Sequence, residues 1–388
     1  MPTTTAPTLL HRLGHAAAGI AAGFVASALV VAIVSAAVVT RPARPRLVAE
    51  DASGHLRRIA IHYAPTMHAR TLPVWRALFT ALPADVEVAV AVQGPRDFAR
   101  FTAALADAGV PARARFRMVV VDQPITTWSR DRMAALTGDA VLAPPMVTTA
   151  TGARAGDWAA PFAIARTVYG KQPAIAPFVF EGGDLAASRG VLFADANLVG
   201  RNLGRDVGGG DATRAGLEAA LARTFAQRIV FLGDAQGEVP EHHIMMYMVP
   251  LDDHRVLVGD VREGARLLAA ERARSGATVP VDADVEAHAR RFDHVAALLA
   301  ARGFEVARMP VVVLPGAGSY VTYTNALFDR DPGGPVVYLP TYDLPALDDV
   351  AAARYRALGY RVVPIDVSSV YQLNGSLGCL VNVMARAR

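Results

Sequence analysis

Cysteine and lysine are nearly missing from this 388-residue chain. The one cysteine is Cys379, so an internal disulfide is excluded, and its thiol is either a small buried hydrophobe or a reactive group. The one lysine is Lys171, and arginine carries almost all of the positive charge. With Ala, Val and Gly abundant, that imbalance reads as compositional bias. The net charge is only +4 and no basic run is interleaved with aromatics, so a nucleic-acid partner is not expected. Hydrophobic residues make up 53% and charged ones 19%, which excludes a disordered chain and provides for an ample core. The run Gly208-Gly209-Gly210-Asp211 reads as a flexible loop. No Gly-Lys-Ser/Thr follows it, so it is not a phosphate cradle.

One long uncharged run is present. Residues 16–40, from Ala16 to Thr40, hold no charged side chain, which is enough to cross a hydrocarbon core of ~30 Å as a helix. Arg12 precedes the run and Arg41, Arg44 and Arg46 follow it. A cleavable signal has a shorter apolar core, so an uncleaved anchor is the expectation, although the small residues Ser35-Ala36-Ala37 leave cleavage open. The arginines after the span favour a cytoplasmic body, whereas a signal anchor exports it; the extracytoplasmic face is the expected one. The chain then divides into a tail at 1–15, an anchor at 16–40, a Pro/Arg-rich linker at 41–56 and a body at 57–388.

The body alternates short apolar runs with amphipathic stretches, which points to an α/β fold. Ile59–Tyr63, Val86–Val92, Phe116–Val121, Arg228–Leu232 and Arg255–Val261 read as strands, as do Val311–Leu314, Val321–Leu327, Val336–Leu339 and Arg361–Ile365. Leu72–Leu82, Phe98–Ala108, Val285–Arg302 and Leu347–Leu358 have helical spacing, the last two closed by Gly303 and Gly359. The cadence repeats, but the order of strands in the sheets does not follow from it.

Five polar islands interrupt this apolar context. They are Thr126-Thr127-Trp128-Ser129-Arg130-Asp131-Arg132, then Glu181-Gly182-Gly183-Asp184, then Glu241-His242-His243 running to Pro250-Leu251-Asp252-Asp253. Gly316 to Asn325 is the fourth, and Asn374-Gly375-Ser376-Leu377-Gly378-Cys379 the fifth. Each alone has a plain reading: an ion pair at Asp131, a turn at the two glycines, a half-buried histidine. Asn325 within an apolar run is harder to set aside, because a buried amide needs partners. No second His or Cys sits at ligand spacing from His242 and His243, so a metal site is not expected.

Taken in order, the islands resemble one family. Trp-x-Arg-Asp, Glu-Gly-Gly-Asp, a His before an apolar run, Gly-Ser-Tyr with a later Asn, and a C-terminal Gly-Ser-Leu-Gly-Cys look like the guanidino-group-modifying enzymes. Within these the chain is most similar to agmatine deiminases and Porphyromonas-type peptidylarginine deiminases. The resemblance covers about Arg57 to Met384. It implies a pentein, a five-bladed α/β propeller of pseudo-repeated ββαβ units around a central site. It implies Cys379 as the nucleophile on the guanidinium carbon, His243 as acid/base, Glu181 orienting the His, and Asp131 gripping the guanidinium. Trp128, Asp184 and Asn325 would line the substrate site. The implied activity is hydrolysis of a small guanidino compound or an arginyl peptide, with no metal or organic cofactor. The residue types suit that chemistry. A guanidinium stays protonated and needs anionic acceptors, and a thiolate is the fitting nucleophile at neutral pH.

The sequence departs from the family's pattern in two places. An Asp commonly stands two residues after the catalytic His, where this chain has Met245, and a His is common before the Cys, where it has Gly378. Loss of one charged partner in a buried site costs roughly 1.5–3 kcal/mol. Asp184 is the nearest acid by motif to take over the second grip. Two alternatives stay open: a catalytically silent pentein that binds a ligand or protein, and an amidinotransferase.

Overall fold

The strand Glu87–Val92 is buried at every position but its first, the pattern of a strand covered on both faces. It pairs in parallel with His55–His62 on one side and Phe116–Val120 on the other. Parallel neighbours need a crossover. The helices His68–Ala81 and Pro95–Asp107 supply it, packing Trp75, Leu78, Phe79, Phe101 and Leu105 into the core.

This computed structural model describes residues 44–49, 54–110, 115–146, 152–204, 213–235, 237–316 and 318–387. The apolar run 16–40 and the glycine loop 208–211 lie outside the described residues. Among the described residues, no helix is long and apolar enough to cross a membrane.

One strand plan recurs in five sheets. In each, a first strand pairs antiparallel with a second, which pairs in parallel with a third reached through a helix. Ala134–Leu136, Ala140–Ala143 and Ala174–Ile175 form one such set around the helix Ala160–Tyr169. Leu185–Ala187, Val191–Asp195 and Arg228–Leu232 form the next. Met248–Pro250, Arg255–Asp260 and Glu305–Val313 form the third, with Tyr320–Thr322 added antiparallel at the far side. Leu327–Asp331, Gly334–Thr341 and Arg361–Asp366 form the fourth. In the fifth, the C-terminal strand Val381–Ala387 pairs antiparallel with His55–His62, so the last strand of the chain completes the sheet of the first.

Two expectations change. Val321–Leu327 is not one strand: it breaks after Thr322 and resumes at Leu327, and Thr324 and Asn325 fall in the break. Part of the stretch expected as linker is packed on the body. Arg46 bridges Phe225, Val48 bridges Leu136, and Val48 and Ala49 are buried. The backbone N–H of Val48 also donates to Gln227 Oε1 at 3.1 Å.

The sheets bring the islands into the same place in each repeat. Asp131 lies just before Ala134–Leu136, Asp184 before Leu185–Ala187, and His243 before Met248–Pro250. Asn325 lies just before Leu327–Asp331, and Cys379 before Val381–Ala387. Each polar segment thus feeds the first strand of a sheet.

Candidate active site

The nucleophile turn is built first. Asn374 takes a left-handed backbone (φ 64°), and a short helix, Leu377–Leu380, carries Cys379 into the interior at 2% exposure. Asn325 holds this turn twice. Its carbonyl accepts from Gly378 N–H at 3.1 Å, and its Nδ2 lies 3.4 Å from Cys379 Sγ and 3.1 Å from Met246 Sδ. The Asn325 Oδ1 is buried without a hydrogen-bond partner. The Trp-x-Arg-Asp segment is tied to the same turn: Arg130 N–H donates to the Cys379 carbonyl at 3.4 Å, and Ser129 Oγ donates to the Leu380 carbonyl at 2.7 Å.

The two glycines of Glu-Gly-Gly-Asp have separate jobs. A Cβ at Gly182 would lie 2.0 Å from the Arg130 carbonyl oxygen, and one at Gly183 would lie 2.2 Å from Cγ of His243. Only glycine lets this loop pass between the Asp131 segment and the imidazole. Glu181 and Asp184 also form a capping box around the two glycines, with Glu181 N–H donating to Asp184 Oδ2 at 2.8 Å. That geometry aims Glu181 Oε2 at His243 Nε2, 3.0 Å away.

His243 is buried. Burial alone pushes an imidazolium down; the hydrogen bond to Glu181, the nearby Cys379 and the charge of Asp131 outweigh it and hold the pKa well above the ordinary value. The second ring nitrogen, Nδ1, makes no hydrogen bond of ordinary geometry. Such contacts are commonly loose in ligand-free sites and tighten around substrate. Burial pushes the Glu181 carboxyl up, but His243, Arg201 and Arg132 hold it well below the usual carboxylate range. His242 stacks on His243 with centroids 4.3 Å apart, in a left-handed backbone (φ 75°). Burial and the neighbouring His243 charge lower its pKa to about 3, so it stays neutral.

The acids are not bare. Glu181 takes Arg132 at 3.0 Å on one oxygen and Arg201 at 2.9 Å on the other. Arg201 Nε also lies 2.9 Å from Asp184 Oδ2. Glu181, Asp184 and His243 bring one potential ligand atom each to within 4.8 Å of one another, and Arg132 and Arg201 ion-pair with these acids. Asp131, 3% exposed, is ion-paired with Arg154, whose guanidinium also lies 3.5 Å from the buried Asp157. A cleft of about 390 Å³ opens next to the Trp128 segment. Its wall includes Trp128, Thr126, Ala153, Gln372 and Asn374.

Of the residues singled out in the sequence, Cys379, His243, Glu181 and Asn325 converge directly. Asp131 joins them through its charge on His243. Trp128 packs its ring against Gly375 and lines the cleft. Asp184 is fully buried and committed to the Glu181 loop and Arg201, and burial raises its pKa. The sequence alone did not assign Arg132, Arg154, Arg201, Asp157 or Met246. Arg132 directly follows the Trp-x-Arg-Asp motif; the others had no local pattern to mark them.

No family model matches the chain, and no curated protein matches it. Solved structures do. The agmatine deiminase of C. jejuni superposes with a TM-score of 0.63 at 16% identity, over 88% of this chain and 96% of that one. A variant of that enzyme with substrate bound gives 0.64 at 16% identity, over 88% and 97%. The agmatine deiminase of Enterococcus faecalis gives 0.61 at 12% identity, over 89% and 99%. The fold of this chain is therefore the α/β fold of the agmatine deiminases.

Proposed function

We propose that this chain, folded as the agmatine deiminases are, hydrolyses a carbon–nitrogen bond of a guanidino compound through Cys379. The carrying observation is one juxtaposition: the only thiol of the chain beside a buried imidazole whose far nitrogen is held by Glu181. The five repeated sheets and the place of each polar island before a first strand support the five-bladed propeller reading, with the site on its axis.

The residues divide the chemistry between them. Asp131 accepts N–H bonds from the substrate guanidinium and sets its carbon against Cys379. Cys379, beside the charged His243, adds as a thiolate to that carbon. His243 then gives its proton to the departing nitrogen, and ammonia leaves a thiouronium on Cys379. The imidazole, now neutral, takes a proton from water as the water adds to the same carbon. The thiolate is expelled, leaving a ureido product. Glu181 keeps the ring oriented and stabilises its charged form. Asn325 donates toward the sulfur as negative charge returns to it.

The experiment is ammonia release from agmatine, free arginine and arginyl peptides by the wild type and by Cys379→Ala. Turnover that disappears in the variant supports the reading; turnover that persists without the thiol refutes it. The apolar run 16–40 is proposed as a membrane anchor, and its deletion is expected to move the protein from the membrane to the soluble fraction.

A further inference from the structure

Asp131, the carboxylate assigned to the substrate guanidinium, already holds a guanidinium of this chain. Arg154 comes from the helix Gly152–Gly156 and reaches Asp131 with its Nη1. The same nitrogen lies 3.5 Å from Asp157, which is fixed by Thr126 N–H at 2.8 Å and Thr126 Oγ1 at 2.7 Å. The field of Glu181 also acts on Arg154, so its guanidinium stands among the site's acids. The Arg154 side chain is nevertheless 41% exposed, and its neighbour Ala153 lines the cleft with Trp128. Its tip is anchored while part of the side chain meets solvent. Asp131 itself is buried, so a ligand that is to reach its carboxylate has to take the place of this guanidinium.

The geometry points to Arg154 as a specificity-determining residue that closes Asp131 to any ligand lacking a guanidinium of its own. This rests on the function proposed above. Binding becomes an exchange of one guanidinium for another. A planar fork can give Asp131 two N–H bonds in place of the one that Arg154 Nη1 gives up, whereas an ammonium offers a point charge without that fork. Discrimination of this kind works by penalising the wrong ligand, not by tightening the right one. It also adjusts the site to Met245: with one acid fewer than the family pattern, an open Asp131 would hold any cation, and the resident arginine raises the threshold. The chemistry selected is a flexible side chain or small molecule ending in a guanidinium.

The test is calorimetric binding of agmatine and of 1,5-diaminopentane to the full chain carrying Cys379→Ser, with and without Arg154→Ala or Arg154→Gln. Removing the competitor is expected to tighten agmatine about tenfold, the scale of one charged hydrogen bond. The diamine is expected to gain more, so that the preference for the guanidinium narrows. Both variants must agree, and an unchanged melting temperature shows that they fold. Weaker or unchanged agmatine binding in both variants overturns the proposal and makes Arg154 a support of the site. If agmatine binds and responds as expected but the wild type releases no ammonia, the exchange stands and the hydrolytic reading falls. If agmatine binds neither wild type nor variant, both fall together.

Discussion

Met245 and Gly378, the two positions where the sequence departs from the motifs it otherwise resembles, are neighbours: a Cβ at Gly378 would lie 3.5 Å from Met245 Cε. It would lie closer still, 2.7 Å, to Oδ1 of Asn325. The shorter contact decides the outcome of adding a methyl. In Gly378→Ala the amide of Asn325 has to turn, and its Nδ2 leaves the sulfur of Cys379. A loss of about tenfold or more in turnover is expected, the scale of one hydrogen bond to a charged group. Met245→Ala in the same chain is not expected to restore it, because methionine is not the tight contact. Steady-state kinetics of the single and double variants check this.

Gly183→Ala tests the placement of the imidazole. The new methyl would lie 2.2 Å from Cγ of His243, so the ring must move away from Glu181 or the loop must open. A displacement of about 1 Å at reacting groups costs on the order of 10²-fold. Turnover should fall by that much. Alkylation of Cys379 should slow in step, and circular dichroism should show the fold retained.

Glu181→Gln tests the charge on His243. Burial alone lowers an imidazole's pKa, and Glu181 is among the groups that reverse this. Without its charge the folded pKa falls, so the pH at which reactivity is lost through deprotonation of His243 moves to lower values. The sign for stability follows. A histidine whose folded pKa is raised contributes stability that is present below its unfolded pKa and is lost as pH rises through the folded one. The variant should lose that contribution at a lower pH than wild type. A pH series of Cys379 alkylation and of urea unfolding measures both.

Asp195 gives the same sign in a lower pH window. It is fully buried, caps the helix Ala196–Asn202 and accepts from the Tyr247 hydroxyl at 2.9 Å. Burial, with the neighbouring Asp184 charge, raises its pKa from 3.8 to about 7. Between those values the folded chain keeps a proton that the unfolded chain has released, so stability falls as pH rises through this window. Asp195→Asn keeps a capping oxygen and removes the titration. Its unfolding midpoint should change less than the wild type's between pH 4 and pH 7.

Much of this architecture was legible because two periodicities do not overlap. Runs such as Glu87–Val92 and Arg228–Leu232 were buried strands in pattern and in place. The helix at Val285–Ala301 carried its own stop in the turn before Gly303. Less was legible between residues 121 and 228. There the strands Ala134–Leu136, Ala140–Ala143 and Leu185–Ala187 are short and alanine-rich, with too few large side chains to show a period. The expected strand through Asn325 breaks because the chain leaves the sheet there, and the Asn325 amide lies against the sulfur of Cys379. Cys379, His243 and Glu181 could be found because each is an anomaly within its own neighbourhood. Arg154 and Arg201 could not, since nothing local tells which carboxylate a long arginine will reach. The burial of Asp184 and its pairing with Arg201 have no mark in the sequence motif.

The most direct test of the central claim uses the fact that the chain has a single cysteine. Wild-type protein is incubated with 2-chloroacetamidine at neutral pH, with and without a guanidino substrate, and its intact mass is followed. One adduct is expected, forming fast, slowed by the substrate, and slowed again in His243→Ala. A thiol that does not react, or that reacts equally fast without His243, would contradict a nucleophile poised by an imidazole.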